Sequence, residues 1–186
     1  MNPNAALRVR RVPAEGAGGV DAMVEPLADV LLDCVEGGAS VSFMWPLPRE
    51  RALAFWRGVA DGVKRGERAL LVAEEATADG DAAGRVVGTV QLILALPDNQ
   101  PHRADVAKML VHRRARRRGV GTLLLAALDE VARAEGRDLL VLDTVTGGDA
   151  ERLYARAGWT AVGSVPRYAL MPRGGDCATT FFYKQL

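Results

Sequence analysis

Between Asp105 and Thr144 the hydrophobic period of the chain changes twice, and this constrains the fold more than any other stretch. Asp105 to His112 reads as a strand. Val120 to Ala134 stacks Val120, Leu124, Leu128 and Val131 on one helical face. Leu139 to Thr144 is a nearly continuous apolar run. A strand, a helix and an apolar strand in that order predict a right-handed crossover between parallel strands. The apolar run predicts that the second of those strands is buried on both faces.

The flanking segments extend this unit. Leu7 to Val12 alternates and reads as a short strand. Val20, Met23, Val24, Leu27, Val30, Leu31 and Cys34 form one helical stripe that Gly37-Gly38 stops. Cys34 lies on that stripe and reads as a core residue. Ala39 to Pro48 is a loop, and Arg49 to Lys64 a second helix with Leu53, Trp56, Val59 and Val63 inward. Ala69 to Ala73 and Arg85 to Leu96 are strands, joined by a surface loop of small residues from Ala76 to Gly84. Asp149 reads as the N-cap of a short helix that ends at Gly158. Strands at Thr160 to Val165 and Thr179 to Gln185 close the chain. The order β, α, α, β, β, β, α, β, α, β, β predicts a mixed, mostly antiparallel α/β sheet of about seven strands with helices on both faces, in one domain over residues 1–186.

Composition removes several classes of function. The net charge of +1 in 186 residues makes no general case for nucleic acid or a membrane surface. Two cysteines and two histidines suit neither a disulfide framework nor a multi-histidine metal site, so no metal is expected. No apolar run follows the basic residues of Met1 to Arg11, and no stretch approaches a membrane span. A cytoplasmic location is therefore expected. The closing strand offers an edge to a second copy, which would make a homodimer.

The chemistry concentrates at Arg116-Arg117-Arg118-Gly119-Val120-Gly121, between a strand and a helix. Gly119 and Gly121 let the backbone approach a ligand without a Cβ in the way. The helix behind them points unpaired N–H groups and the positive end of its dipole at the same space. A pyrophosphate suits such a site, and arginines add charge-assisted contacts. No GK[ST] follows, and the spacing is not that of a dinucleotide fold.

R-x-x-G-x-G in this position resembles the pyrophosphate-binding motif of the GCN5-related N-acetyltransferases, the GNAT superfamily. The resemblance includes the preceding strand residues Lys108 to Val111. It also includes Glu151 to Trp159, which is similar to that family's LY-x-x-x-GF helix. The motifs cover Ala104 to Trp159, and the element order agrees over the rest. A narrower resemblance is to the tabtoxin resistance acetyltransferases. It rests on His102 to Val106, Leu142 to Thr144, Arg167 to Leu170, Thr180 to Lys184 and Gly37 to Val41.

The resemblance implies acetyl-CoA as co-substrate and a small-molecule amine as acceptor, in a direct attack within a ternary complex. Arg116, Arg117, Arg118, Gly119, Val120 and Gly121 would hold the pyrophosphate, with Thr122 adding a hydroxyl. Met109, Leu110 and Val111 would pair with the pantetheine arm, and one of their N–H groups would polarise the thioester carbonyl. Tyr154 is the expected general acid for the departing thiolate; its helical face with Ala150, Leu153 and Ala157 also suits a plain core residue. Asp105 and Asp143 are the expected bases. Asp105 could instead pair with Arg103 or Lys108, and Asp143 could cap a turn. The subgroup has a Glu where Asp105 stands, and the shorter side chain makes a water relay the expected route. Phe43, Met44 and Trp45 would line the acceptor pocket or else pack on the core. His112, Glu74 and Glu75 read as surface residues.

Two other functions fit parts of the chain. An acetyltransferase of protein lysines or N-termini would share the fold. A nucleic-acid module would use Arg113 to Arg118, but there is no aromatic interleaving for base stacking. Neither nucleic acid nor a membrane is the expected partner.

Overall fold

The computed structural model describes residues 6–76 and 84–186. The predicted loop from Ala76 to Gly84 falls largely on residues 77–83, outside the described residues. Seven strands form one sheet: β1 (Leu7–Arg11), β2 (Arg68–Glu75), β3 (Arg85–Ile93), β4 (Arg103–Val111), β5 (Leu139–Val145), β6 (Thr160–Leu170) and β7 (Asp176–Gln185). Their spatial order is β1-β2-β3-β4-β5-β7-β6, and only the β4–β5 pair is parallel. Four α-helices accompany them: α1 (Val24–Glu36), α2 (Arg49–Lys64), α3 (Val120–Ala134) and α4 (Asp149–Arg156). The predicted element order and the α3 crossover are both present.

The sheet separates two apolar cores. On one side Val120, Leu124, Leu125 and Leu128 of α3 pack on Leu71, Val90, Leu92, Val106, Leu140 and Leu142. On the other, Leu27, Leu31 and Val35 of α1 and Trp56 and Val59 of α2 pack on Leu70, Val72, Val86 and Leu110. The stripe read from Val20 to Cys34 divides into a 3-10 turn, Val20–Met23, and α1. Pro26 lies in the first turn of α1, where its missing N–H costs nothing.

Several boundaries differ from the sequence reading for identifiable reasons. β5 is not buried on both faces: Leu140 and Leu142 are buried, Leu139 and Val141 half-buried and Asp143 exposed. The core under α1 and α2 draws on β2, β3 and β4 but on no residue of β5, so that face of β5 is left to a cleft. β3 stops at Ile93, and the Leu94 N–H donates to the Glu67 carbonyl outside the strand ladder. β6 runs past Val165 through Pro166 to Leu170. It is an edge strand, where a proline can sit without breaking a ladder hydrogen bond. β7 lies between β5 and β6, so the edge strands of the sheet are β1 and β6, not the closing strand. Gly148, not Asp149, is the N-cap of α4; Asp149 pairs with Arg152 one turn on.

Glu74 and Glu75 are not solvated. Glu74 is buried and held by Arg10 at 2.8 Å, and Glu75 takes Arg118 and Arg114. No helix among the described residues is long and apolar enough to cross a membrane.

Candidate active site

Parallel pairing between β4 and β5 lasts three residues, from Arg103↔Leu139 to Asp105↔Val141. Beyond it the strands no longer pair, so the later part of β4 faces open space on its β5 side. A bulge in β4 falls at the same place: Gln91 pairs with Ala107 and Thr89 with Leu110, and Lys108 takes a left-handed φ of +51°. Between the separated strands lies a cleft of about 1130 Å³. Met109, Leu110 and Val111 form one wall, with α3 and α4 at one end and the α1–α2 loop and the β6–β7 hairpin at the other.

The α3 end is built for an anion. Gly119 caps α3 at φ +81°, a conformation an L side chain rarely adopts, and Arg117 shares it at +63°. The first intrahelical bond is Leu123 N–H to the Gly119 carbonyl at 3.0 Å, so the N–H groups of Val120, Gly121 and Thr122 have no helical acceptor. All three residues line the cleft, with Arg116 and Arg117 beside them. Gly121 has a different purpose from the one its spacing suggests. A Cβ there would stand 2.7 Å from Leu153 Cδ2, so the glycine lets α4 pack against the start of α3.

Most of the basic run is already neutralised. Arg118 does not line the cleft; it turns to Glu75. Arg114 donates to the Val86 carbonyl. Arg113 binds Glu36 and, through its main-chain N–H at 2.7 Å and its guanidinium at 2.9 Å, Asp33. Arg116 donates to the Val111 carbonyl at 3.2 Å, which occupies one main-chain acceptor of the β4 wall. His112 lies behind the cleft, with Nδ1 3.3 Å from both the Arg114 N–H and Asp33. Burial pulls its pKa down.

Asp33 therefore ties α1 to the segment that enters the anion loop. Burial opposes its ionisation, but the Arg113 N–H, the Arg113 guanidinium and His112 outweigh burial and hold its carboxyl below the usual range. A lowered carboxyl pKa contributes stability that is present above the unfolded-state value, near about 4, and lost as pH falls through the folded one. Asp33→Asn is expected to cost about 1.5–3 kcal/mol at pH 7, with a gap to the unmodified protein that narrows on acidification to about pH 3. Urea unfolding at both pH values measures this; a gap independent of pH would contradict it.

The middle of the cleft holds the proton-transfer candidates. Tyr154 is buried, its ring edge-on to Trp159 at 5.7 Å and tilted on Phe182 at 6.0 Å. It is both a core residue and a cleft residue. Among the described residues its hydroxyl has no hydrogen-bond partner. Burial, and then the charge of Asp143, push the phenol well above its ordinary value. Asp143 lines the cleft, and its own pKa is raised by burial, with Lys108 opposing and Asp105 reinforcing. Asp105 is not on the cleft wall; Arg103 holds it at 3.3 Å. Its charge acts on Asp143 from beside the cleft.

At the far end Phe43 and Met44 line the cleft, Phe43 edge-on to Phe55 at 5.3 Å. Trp45 does not. Its N–H donates to the Pro172 carbonyl, and its ring stacks on Arg173 at 3.7 Å, facing a separate depression. Among the cleft residues that sequence reading did not assign to the site are Lys108, Ser42 and Tyr168. Lys108 stood inside a quoted motif, but nothing in the sequence marks the bulge that aims it.

The Acetyltransferase (GNAT) family model matches residues 32–159. A relative from Azospirillum brasilense, an uncharacterized N-acetyltransferase in the hisH-hisA intergenic region, is 31% identical over 119 residues. The match covers 63% of this chain and 65% of the relative, so it spans somewhat less than two thirds of that relative's length. A GCN5-related N-acetyltransferase from Kribbella flavida superposes with a TM-score of 0.75 at 24% identity, over 97% of this chain and 98% of that one. The Salmonella typhimurium protein yncA, solved with its cofactor acetyl-CoA, gives 0.71 at 20% identity, over 97% and 94%. These two structures share the fold, and the family match spans both the anion loop and Tyr154: the chain belongs to the Acetyltransferase (GNAT) family.

Proposed function

We propose that this chain is an N-acetyltransferase that moves an acetyl group from acetyl-CoA to the amine of a small molecule, by direct attack in a ternary complex. The observation that carries the reading is the continuity of one cleft, from an anion site at α3 to a carboxylate and a phenol at β5 and α4. The unpaired N–H groups of Val120, Gly121 and Thr122 fit a pyrophosphate, with Arg116 and Arg117 supplying charge. The part of β4 that leaves β5, Met109 to Val111, fits an extended amide chain such as pantetheine.

Asp143 takes a proton from the acceptor amine, directly or through water; its raised pKa brings it closer to that of an amine. The amine nitrogen then bonds to the thioester carbon, and a β4 main-chain N–H stabilises the oxyanion. As the C–S bond breaks, Tyr154 donates a hydrogen bond to the leaving thiolate. A phenol held above its usual pKa, with a thiol near about 8.5, donates that bond without giving up its proton completely. The proton released by the amine completes the free thiol.

Two features favour a small acceptor over a protein. The acceptor end is walled by residues 39–44 and by Tyr168 to Met171. Asp143 and Asp149 are the only acidic residues on the cleft wall among the described residues, and Asp149 is paired with Arg152. An acidic groove for a basic peptide is not what these residues build. The ion pairs of Arg113, Arg114 and Arg118 likewise weaken the reading of the basic run as a nucleic-acid contact. A homodimer, if formed through strand addition, would use an edge strand, β6 or β1.

The test is free-thiol release from acetyl-CoA with a panel of small amines and, in parallel, with lysine-rich and N-terminal alanine peptides. The expected result is acceptor-dependent release with at least one small amine. Release with peptides alone would overturn the small-molecule assignment.

A further inference from the structure

Lys108 and Asp143 stand on the same cleft wall with opposite charges, yet they do not form an ion pair. Lys108 Nζ donates to Ser42 Oγ at 3.1 Å and lies 5.6 Å from the centre of the Phe55 ring. Among the described residues no carboxylate is within ion-pair distance of Lys108, and no cation is within that distance of Asp143. Other inward-turned charges of this fold are matched: Arg10 with Glu74, Lys184 with Asp129, Arg103 with Asp105. Lys108 is also held by an uncommon backbone, the left-handed φ of +51° at the β4 bulge. A non-glycine residue in that region is a strained choice, and such strain gathers at functional sites. Burial lowers the Lys108 pKa, Asp143 raises it and Arg68 lowers it further.

We propose that Lys108, with Ser42, binds a carboxylate of the acceptor, so that the acceptor is a small amino acid or related amino-carboxylate whose amine lies toward Asp143. This rests on the acetyltransferase reading for the role of the amine, but not for the carboxylate site itself. The chemistry is complementary at both ends. A partly desolvated ammonium regains a charge-assisted partner, and an ammonium group entering the cleft meets Asp143 before it is deprotonated. A simple amine would satisfy Asp143 and leave Lys108 as it is. A zwitterion satisfies both without bringing net charge into the cleft.

The experiment compares amino acids with their decarboxylated amines, such as phenylalanine with phenethylamine, methionine with 3-methylthiopropylamine and lysine with cadaverine. Thiol release gives kcat/KM for each, and thermal shift gives binding with and without acetyl-CoA. In the unmodified protein at least one amino acid is expected to exceed its decarboxylated partner by about tenfold or more, the scale of one charge-assisted hydrogen bond. Lys108→Gln is expected to bring that ratio close to one, whatever it does to the rate with the decarboxylated amine through the charge beside Asp143, and an unchanged melting temperature without ligand shows that the variant is folded. Lys108→Arg, which keeps the charge, is expected to retain part of the preference. No preference for any amino acid, or a preference that survives in Lys108→Gln, overturns the proposal. If acetyl-CoA neither binds nor reacts, the acetyltransferase reading fails separately; amino-acid binding lost in Lys108→Gln would still support the carboxylate site, and its absence would end it.

Discussion

Tyr154→Phe is expected to lower acetyl transfer by about 10²–10³-fold, the effect of removing one hydrogen-bond donor aimed at charge that develops in the transition state. The phenyl ring keeps the edge-on contact with Trp159 and the contact with Phe182, so the fold should be nearly unchanged. Acetyl-CoA binding should also persist, because the anion loop and the β4 wall are untouched. The loss should therefore appear in kcat rather than KM. Burial and Asp143 hold the Tyr154 pKa well above its ordinary value, so activity should show no descending limb from this residue as pH rises toward 10. Stopped thiol release across pH, with acetyl-CoA binding measured alongside, checks each part. A Tyr154→Phe protein with unchanged kcat would reduce Tyr154 to the core residue that its helical face also suggests.

Trp56→Ala is expected to be the most destabilising single change, about 3–5 kcal/mol. Trp56 is 1% exposed and sits in the core between α1, α2 and the sheet. Its removal leaves a cavity that the surrounding helices cannot fill without moving. Among the described residues the indole N–H has no partner, so Trp56→Phe should cost much less: it loses volume but also removes a buried unsatisfied donor. Urea unfolding of both variants measures the difference. Equal losses would mean that the N–H is satisfied, for instance by water. The effect reaches the site through α1, whose Asp33 anchors the entrance to the anion loop.

Much of the fold was legible because hydrophobic period and turn residues agreed over most elements. The α3 stripe, the two separate helices before β2 and the parallel crossover all follow from local pattern. What failed depended on neighbours. β5 reads as fully buried because its residues are apolar, but burial on the second face needs a helix that covers β2 to β4 instead. β6 reads as ending at Val165 because Pro166 follows, and only its edge position makes the proline harmless. The site divides in the same way. The anion loop, Tyr154 and Asp143 carry residue types in a recognisable order. Trp45 is adjacent in sequence to cleft residues, yet a main-chain bond to Pro172 and stacking on Arg173 turn it away. Asp105 is one residue pair from the cleft but is satisfied by Arg103. Lys108 became visible only through the bulge, since no sequence signal marks a lysine that adopts a left-handed backbone.

The most direct test of the central claim is the melting temperature of the purified protein titrated with acetyl-CoA, with desulfo-CoA and NAD as comparisons. At a hundred times its dissociation constant a ligand stabilises the folded state by about 2.7 kcal/mol, which for a domain of this size is a rise of about 5–10 °C. The account predicts such a rise with acetyl-CoA and desulfo-CoA, both of which carry the pyrophosphate and pantetheine that the anion loop and β4 wall fit, and none with NAD. No shift at millimolar acetyl-CoA would contradict it.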